Sequence, residues 1–166
     1  LGSVTDAAGN AATVTTFNAV THPTNVVDTT APTIESTALS IATFDSSGST
    51  KSGNLKATDK VVLTIDLGEA ASGLSSLPTG TDSTVLDVGG SDVSGIWSTD
   101  GNALKLTYTV STETGAITVD EAALLTALGS VTDAAGNAAT VTTFNAVTHP
   151  TNVVDTTAPT IESTAL

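Results

Sequence analysis

The chain has 166 residues and sets 17 acidic side chains against 4 lysines, a formal net charge of −13. That balance excludes the basic patches which nucleic acids and anionic membranes require, and no apolar run reaches the roughly 18 residues of a membrane-spanning helix. Cys is absent, so no disulfide framework stabilises the fold.

Aromatic residues are scarce, while Thr, Ser, Ala, Val and Gly are abundant. Thr and Val favour pleated, half-buried surfaces, which points to an all-β protein. Residues 1–39 recur without a change as residues 128–166, which reads as a window of a tandem array with a period of 127 residues. Cut at Asp28, one complete module runs 28–154. Residues 1–27 are then the last part of a preceding module, and 155–166 the first strand of a following one. Neither flank carries enough apolar surface to fold alone, so neighbouring modules or molecules are expected to order them. A module of this size supports one hydrophobic core.

In chain order, 32–44 reads as a first strand with Ile34, Leu39, Ile41 and Phe44 available to the core, followed by a polar hairpin at 45–54. Residues 60–67 alternate, with Val61, Leu63, Ile65 and Leu67 on one face. Residues 70–83 read as a loop. Strands follow at 84–88 and 93–97 around a Gly89-Gly90 turn, and Asp100-Gly101-Asn102 reads as a second hairpin turn. Residues 103–110 alternate again, placing Leu104, Leu106, Tyr108 and Val110 inward. The spacing changes at 120–128, where a short helix with acids in its first turn stops at Gly129 and crosses between sheets. Closing strands at 130–132 and 138–146 flank a loop at 133–137, and the same pair is spelled at 3–5 and 11–19. Two layers of antiparallel strands account for this pattern.

Three segments carry a family resemblance: Val-Asp-Thr-Thr-Ala-Pro-Thr-Ile at 27–34 and again at 154–161, the stretch from Leu55 through Asp59 and Asp66 to Glu69, and Val-Thr-Asp-Ala-Ala-Gly-Asn at 131–137. In these the chain resembles the bacterial immunoglobulin-like repeats of very large surface proteins, including secreted adhesins. Thr58, Leu67 and Gly68 stand where relatives often carry Gly, an aromatic residue and Ser. The resemblance implies an immunoglobulin-like antiparallel β-sandwich in an end-to-end array, an extracellular or cell-surface location, and Ca2+ near the module junctions.

Calcium takes roughly six to eight oxygen ligands in irregular geometry. Carboxylates from a linker, a loop and a neighbouring module meet that demand. The candidate ligands are Asp28 and Asp155 in the linkers, Asp6 and Asp133 in the Asp-Ala-Ala-Gly-Asn loops, Glu69 at a strand end, and the amides of Asn10 and Asn137. The competing reading makes those loops plain tight turns, with Asp and Asn bonding their own backbone. His22 and His149 are one position seen twice and read as exposed or backbone-bonded rather than as zinc ligands. Trp97 and Tyr108 read as core anchors rather than a sugar-stacking platform.

No nucleophile stands beside a base, so an enzyme is not expected. The leading expectation is a structural extender. The alternatives are a filament subunit, joined to other copies of the chain by strand complementation, and a direct glycan- or protein-binding module.

Overall fold

The computed structural model describes residues 4–13, 23–34, 39–141, 144 and 149–162. In chain order the elements are β1 (Thr33–Ile34), β2 (Leu39–Phe44), β3 (Lys60–Asp66), a single 3-10 turn (Ala71–Gly73), β4 (Leu74–Ser75), β5 (Gly80–Val88), β6 (Ser91–Asp100), β7 (Ala103–Thr109), β8 (Ile117–Val119), α1 (Glu121–Leu128), β9 (Thr132–Asp133) and β10 (Thr140–Val141). The fold is all-β with one helix. An antiparallel six-stranded sheet has the order β2-β3-β7-β6-β5-β8, and two short ladders, β1-β10 and β4-β9, complete the sandwich.

Period-two alternation builds the centre. Val61, Leu63 and Ile65 of β3 are fully buried, and Leu104, Leu106 and Tyr108 of β7 lie across from Ile65, Leu63 and Val61 in register. Leu67 and Val110 extend the two buried rows beyond the strand ends. Burying each such aliphatic side chain contributes about 1.5–3 kcal/mol, offset largely by the entropy of ordering the chain. Trp97 is buried with its indole N–H donating to Asp82 Oδ2 at 3.1 Å, and Tyr108 is buried with its hydroxyl donating to Glu113. Both aromatics are therefore core anchors whose polar atoms are satisfied by carboxylates.

The helix begins where Asp120 accepts from the backbone N–H groups of Ala122 and Ala123, and it buries Leu124 and Leu128. It carries the chain from β8, on the large sheet, to the short ladders. Among the described residues no helix is long and apolar enough to cross a membrane.

Two sequence expectations need correction. Residues 32–44 are not one strand: β1 pairs in parallel with β10, whereas β2 pairs antiparallel with β3. The chain thus changes partner within a stretch whose apolar residues could serve either sheet. Nor is 70–83 all loop, because β4 pairs with β9 and β5 begins at Gly80, with a register shift between Asp82 and Leu86 hiding its alternation. Of the closing strands expected at 130–132 and 138–146, the described residues show β9 at Thr132–Asp133 and β10 at Thr140–Val141, with 139 and 144 outside any strand; residues 142, 143 and 145–146 lie outside the described set, as do His22 and most of 11–19.

The Gly89-Gly90 turn has positive φ at both positions, 63° and 79°, as a tight two-residue hairpin requires. Gly89 has a second duty. A Cβ there would lie 2.4 Å from the Thr114 carbonyl oxygen, while one on Gly90 would meet nothing within 4 Å. Gly89→Ala is therefore expected to cost about 3 kcal/mol or more and Gly90→Ala about 1–2 kcal/mol in denaturant unfolding, since only the first adds a clash to the backbone strain.

Candidate functional site

The two identical 39-residue copies meet through residues 28–34 of the first and 133–141 of the second, and each buries a different half of itself. In the first copy Val4 and Val27 are 62% and 89% exposed and Ile34 is fully buried; in the second, Val131 and Val154 are fully buried and Ile161 is 92% exposed. Residues 4–13 and 23–30 are exposed throughout.

At the end where β3 begins, residues 152–156 form an inserted strand. Val154 bridges Leu55 on one side, in parallel, and Gly115 on the other, antiparallel. Leu55 N–H donates to Val153 O at 2.9 Å and Asp155 N–H to Leu55 O at 2.8 Å, while Gly115 and Val154 exchange bonds of 2.8 and 2.9 Å. The Asn152 amide donates to Thr43 Oγ1, Lys51 O and Gly53 O at 2.8, 3.1 and 3.2 Å. Thr156 Oγ1 donates to Thr112 O at 2.9 Å. Upstream, His149 Nε2 accepts from Val119 N–H at 3.2 Å, the backbone-bonded role expected of it.

Both walls of this slot are braced by carboxylates. Asp59 is buried and paired with Lys51, and Lys56 N–H donates to its Oδ2 at 2.9 Å. Burial raises its pKa, but Lys51 and the Lys56 N–H outweigh that and hold it below the ordinary carboxylate value. Glu113 accepts from Tyr108 and from the N–H groups of Ser111 and Thr112, and the Tyr108 bond chiefly lowers its pKa. Burial and Glu113 push the Tyr108 phenol up.

At the other end of β3, the linker of the first copy meets the loop of the second. Asn137 Nδ2 donates to Asp28 O at 3.2 Å, Thr30 O at 3.4 Å and Asp133 Oδ2 at 2.7 Å. Thr140 N–H donates to Pro32 O at 2.8 Å. Asp133 Oδ1 accepts from Ala135 and Asn137 N–H, and the Asn137 side chain is the main cause of its lowered pKa. Asp6 and Asn10 repeat the same internal bonds in the exposed copy. This is the tight turn that the loop sequence allows.

Of the seven candidate ligands, Asp28, Asp133 and Asn137 thus come together at one end. Asp155 lies at the other, and Asp6 and Asn10 share a separate hairpin. Glu69 folds over the 3-10 turn, its Oε2 standing 3.4 Å from where a Cβ on Gly73 would be. Three oxygens converge on the Asn137 amide nitrogen, so a hydrogen-bond donor holds the spot where a cation would gather them. Among the described residues no group of three or more His, Asp or Glu could hold a metal. Within one chain these residues fit a hydrogen-bonded junction and not a complete Ca2+ shell.

The acidity has a local cause. Eight of the described aspartates, Asp6, Asp28, Asp45, Asp66, Asp82, Asp120, Asp133 and Asp155, each accept through Oδ1 from the backbone N–H two residues ahead. Where acids do crowd, at Asp87 with Asp92 and Asp120, burial first and then those neighbours raise the pKa of Asp87. Asn152 and Thr156 were not singled out by sequence reasoning, although the hydrogen-bonding side chains around Val153-Val154 were a usable signal.

Comparison with protein-family models, curated proteins and solved structures gives no match. The family resemblance rests on its three motifs.

The duplicated loop supplies an internal control. Asn137→Ala is expected to lower global stability by about 1–2 kcal/mol because it releases the linker, while Asn10→Ala, the same change in an exposed copy, stays within about 0.5 kcal/mol. Equilibrium denaturation of the two variants checks this. The wall carboxylates set an acid limit: with folded pKa values below the reference 3.8 for Asp and 4.5 for Glu, their contribution is present above those values and lost as pH falls through the folded ones. The melting temperature of Glu113→Gln should accordingly lie below that of the parent near neutral pH, with the gap closing as the pH falls below the reference value of 4.5 and through the lower folded pKa.

Proposed function

We propose that the chain is a structural extender, built of immunoglobulin-like modules stacked end to end in a long extracellular adhesin or surface fibre. The observation that carries this reading is the complementary use of the two copies. Residues 152–156 are built into one end of the folded body, and their counterparts 25–29 are exposed. Residues 32–34 are built into the opposite end, and their counterparts 159–161 are exposed.

Superposing the copies gives one continuous junction. The first half of the linker completes the module before it, and the second half starts the module after it. At the central Asp the N–H faces one module, as Asp155 donates to Leu55 O, while the C=O faces the next, as Asp28 O accepts from Asn137. Such a linker leaves no free residue to act as a hinge.

Calcium, implied by the resemblance, belongs to the same proposal as an addition to this junction. Because one chain brings only part of a shell together, the ion has to draw further oxygens from an adjoining module.

A chain of two repeats, studied by solution scattering and thermal unfolding, tests both parts. The expected particle is extended with a narrow length distribution. Millimolar Ca2+ should raise its melting temperature and lengthen it, since a ligand of the folded state stabilises by mass action. The 166-residue chain should melt at the same temperature with Ca2+ or chelator. A broad distribution of lengths in both conditions overturns the extender. A narrow distribution indifferent to Ca2+ removes the ion and leaves the extender standing.

A further inference from the structure

We propose that the slot between Leu55 and Gly115 is an exchangeable strand acceptor, and that its second occupant is residues 25–29 of another copy of this chain. The inference rests on the slot and its donor as this chain presents them, and it stands apart from the array, in which residues 25–29 would complete the preceding module. Residues 152–156 show what the slot selects: a fully buried Val at 154, an Asn amide that clips Thr43, Lys51 and Gly53, and a Thr hydroxyl that reaches Thr112. Residues 25–29 spell the same Asn-Val-Val-Asp-Thr. There Val26 and Val27 are 87% and 89% exposed, two adjacent apolar side chains without cover.

In the donor's own fold this segment is held through the Asp28 carbonyl, which accepts from Asn137. Its buried anchors begin at Pro32 and Ile34, so the Asp28 N–H and the two valines stay open to another molecule while β1 stays paired with β10. In the acceptor, residues 157–162 beyond the slot are exposed. Donor and slot lie at opposite ends of the body, so the contact is head to tail. It does not close on itself, and the products are linear chains. Recognition is strand addition, with the backbone supplying affinity and the Val pocket the register.

The chain's own segment competes. Tethered beside the slot, it has an effective concentration on the order of 1 mM, about a hundredfold above a second chain at about 10 µM. The parent protein is therefore expected to be monomeric at that concentration, with on the order of one chain in a hundred exchanged. Val154→Asp removes the advantage, because an unpaired carboxylate in a fully buried position disfavours the internal strand by more than that factor.

Light scattering on size-fractionated Val154→Asp should show oligomers that lengthen with concentration, and the double variant with Val27→Asp should return to monomers. A folded Val154→Asp that is monomeric at every concentration overturns the proposal, as do oligomers that persist in the double variant. If Val154→Asp is unfolded, a synthetic peptide of residues 23–31 is added. Restored cooperative melting with the parent peptide but not with its Val27→Asp form supports the slot, and no restoration overturns it.

Discussion

The fold depends on closing one gap in its own backbone. Leu55, at the entrance to β3, and Gly115, ahead of β8, face each other across a strand's width, and each presents an N–H and a C=O toward the space between. Buried backbone groups without partners cost as much as lost hydrogen bonds, so the gap must be filled by another strand. Residues 153–155 fill it with four bonds of 2.8 to 2.9 Å, and Val154 closes the core beneath them. Gly89 packs against Gly115 and donates to Ala116 O at 2.8 Å, Glu113 folds the 111–114 turn, and the Lys51–Asp59 pair braces the other wall. These parts share the task of presenting two edges at the right separation.

What the sequence disclosed follows the range of the interactions involved. β3 and β7 were legible because alternation records burial residue by residue. The Gly89-Gly90 and Gly101-Asn102 turns and the Gly129 stop were legible because their chemistry is local. The split between β1 and β2 was not, since Ile34 and Leu39 look alike to any pattern and differ only in which distant strand takes them. Val153-Val154 was also missed: two apolar residues in a polar linker have no period, and their burial is decided by Leu55 and Gly115, roughly 100 and 40 residues earlier in the chain. The seven proposed metal ligands were ambiguous for a different reason. An Asp that caps a turn and an Asp that ligates a cation are spelled the same way.

The duplicated sequence separates local from tertiary causes more directly than any single-copy fold can. The Asp6 and Asp133 loops have the same internal bonds, so that turn is encoded by its own five residues whether or not anything packs on it. Their surroundings differ, because Asn137 also donates to the carbonyls of Asp28 and Thr30, whereas among the described residues the bonds of Asn10 stay within its own loop. The high negative charge takes on a similar meaning. With eight aspartates bonded to the N–H two residues ahead, much of the acidity belongs to turn construction in a chain with many short strands.

Stiffness at a junction can come from a cation that bridges charges or from a linker with no unbound residue. The second mechanism needs no ion and scales differently with conditions. A free linker of n residues explores an r.m.s. span of about 5–6 Å × √n, and ion bridging suppresses that motion only while the ion is bound. Here the N–H of one linker residue is committed to Leu55, the C=O of its duplicate to Asn137, and the hydroxyl of Thr156 to Thr112. In the proposed array, bending such a junction would mean breaking backbone pairing or exposing Val154. Its resistance would then be that of the folded core, and a cation would add to a joint already closed by backbone pairing.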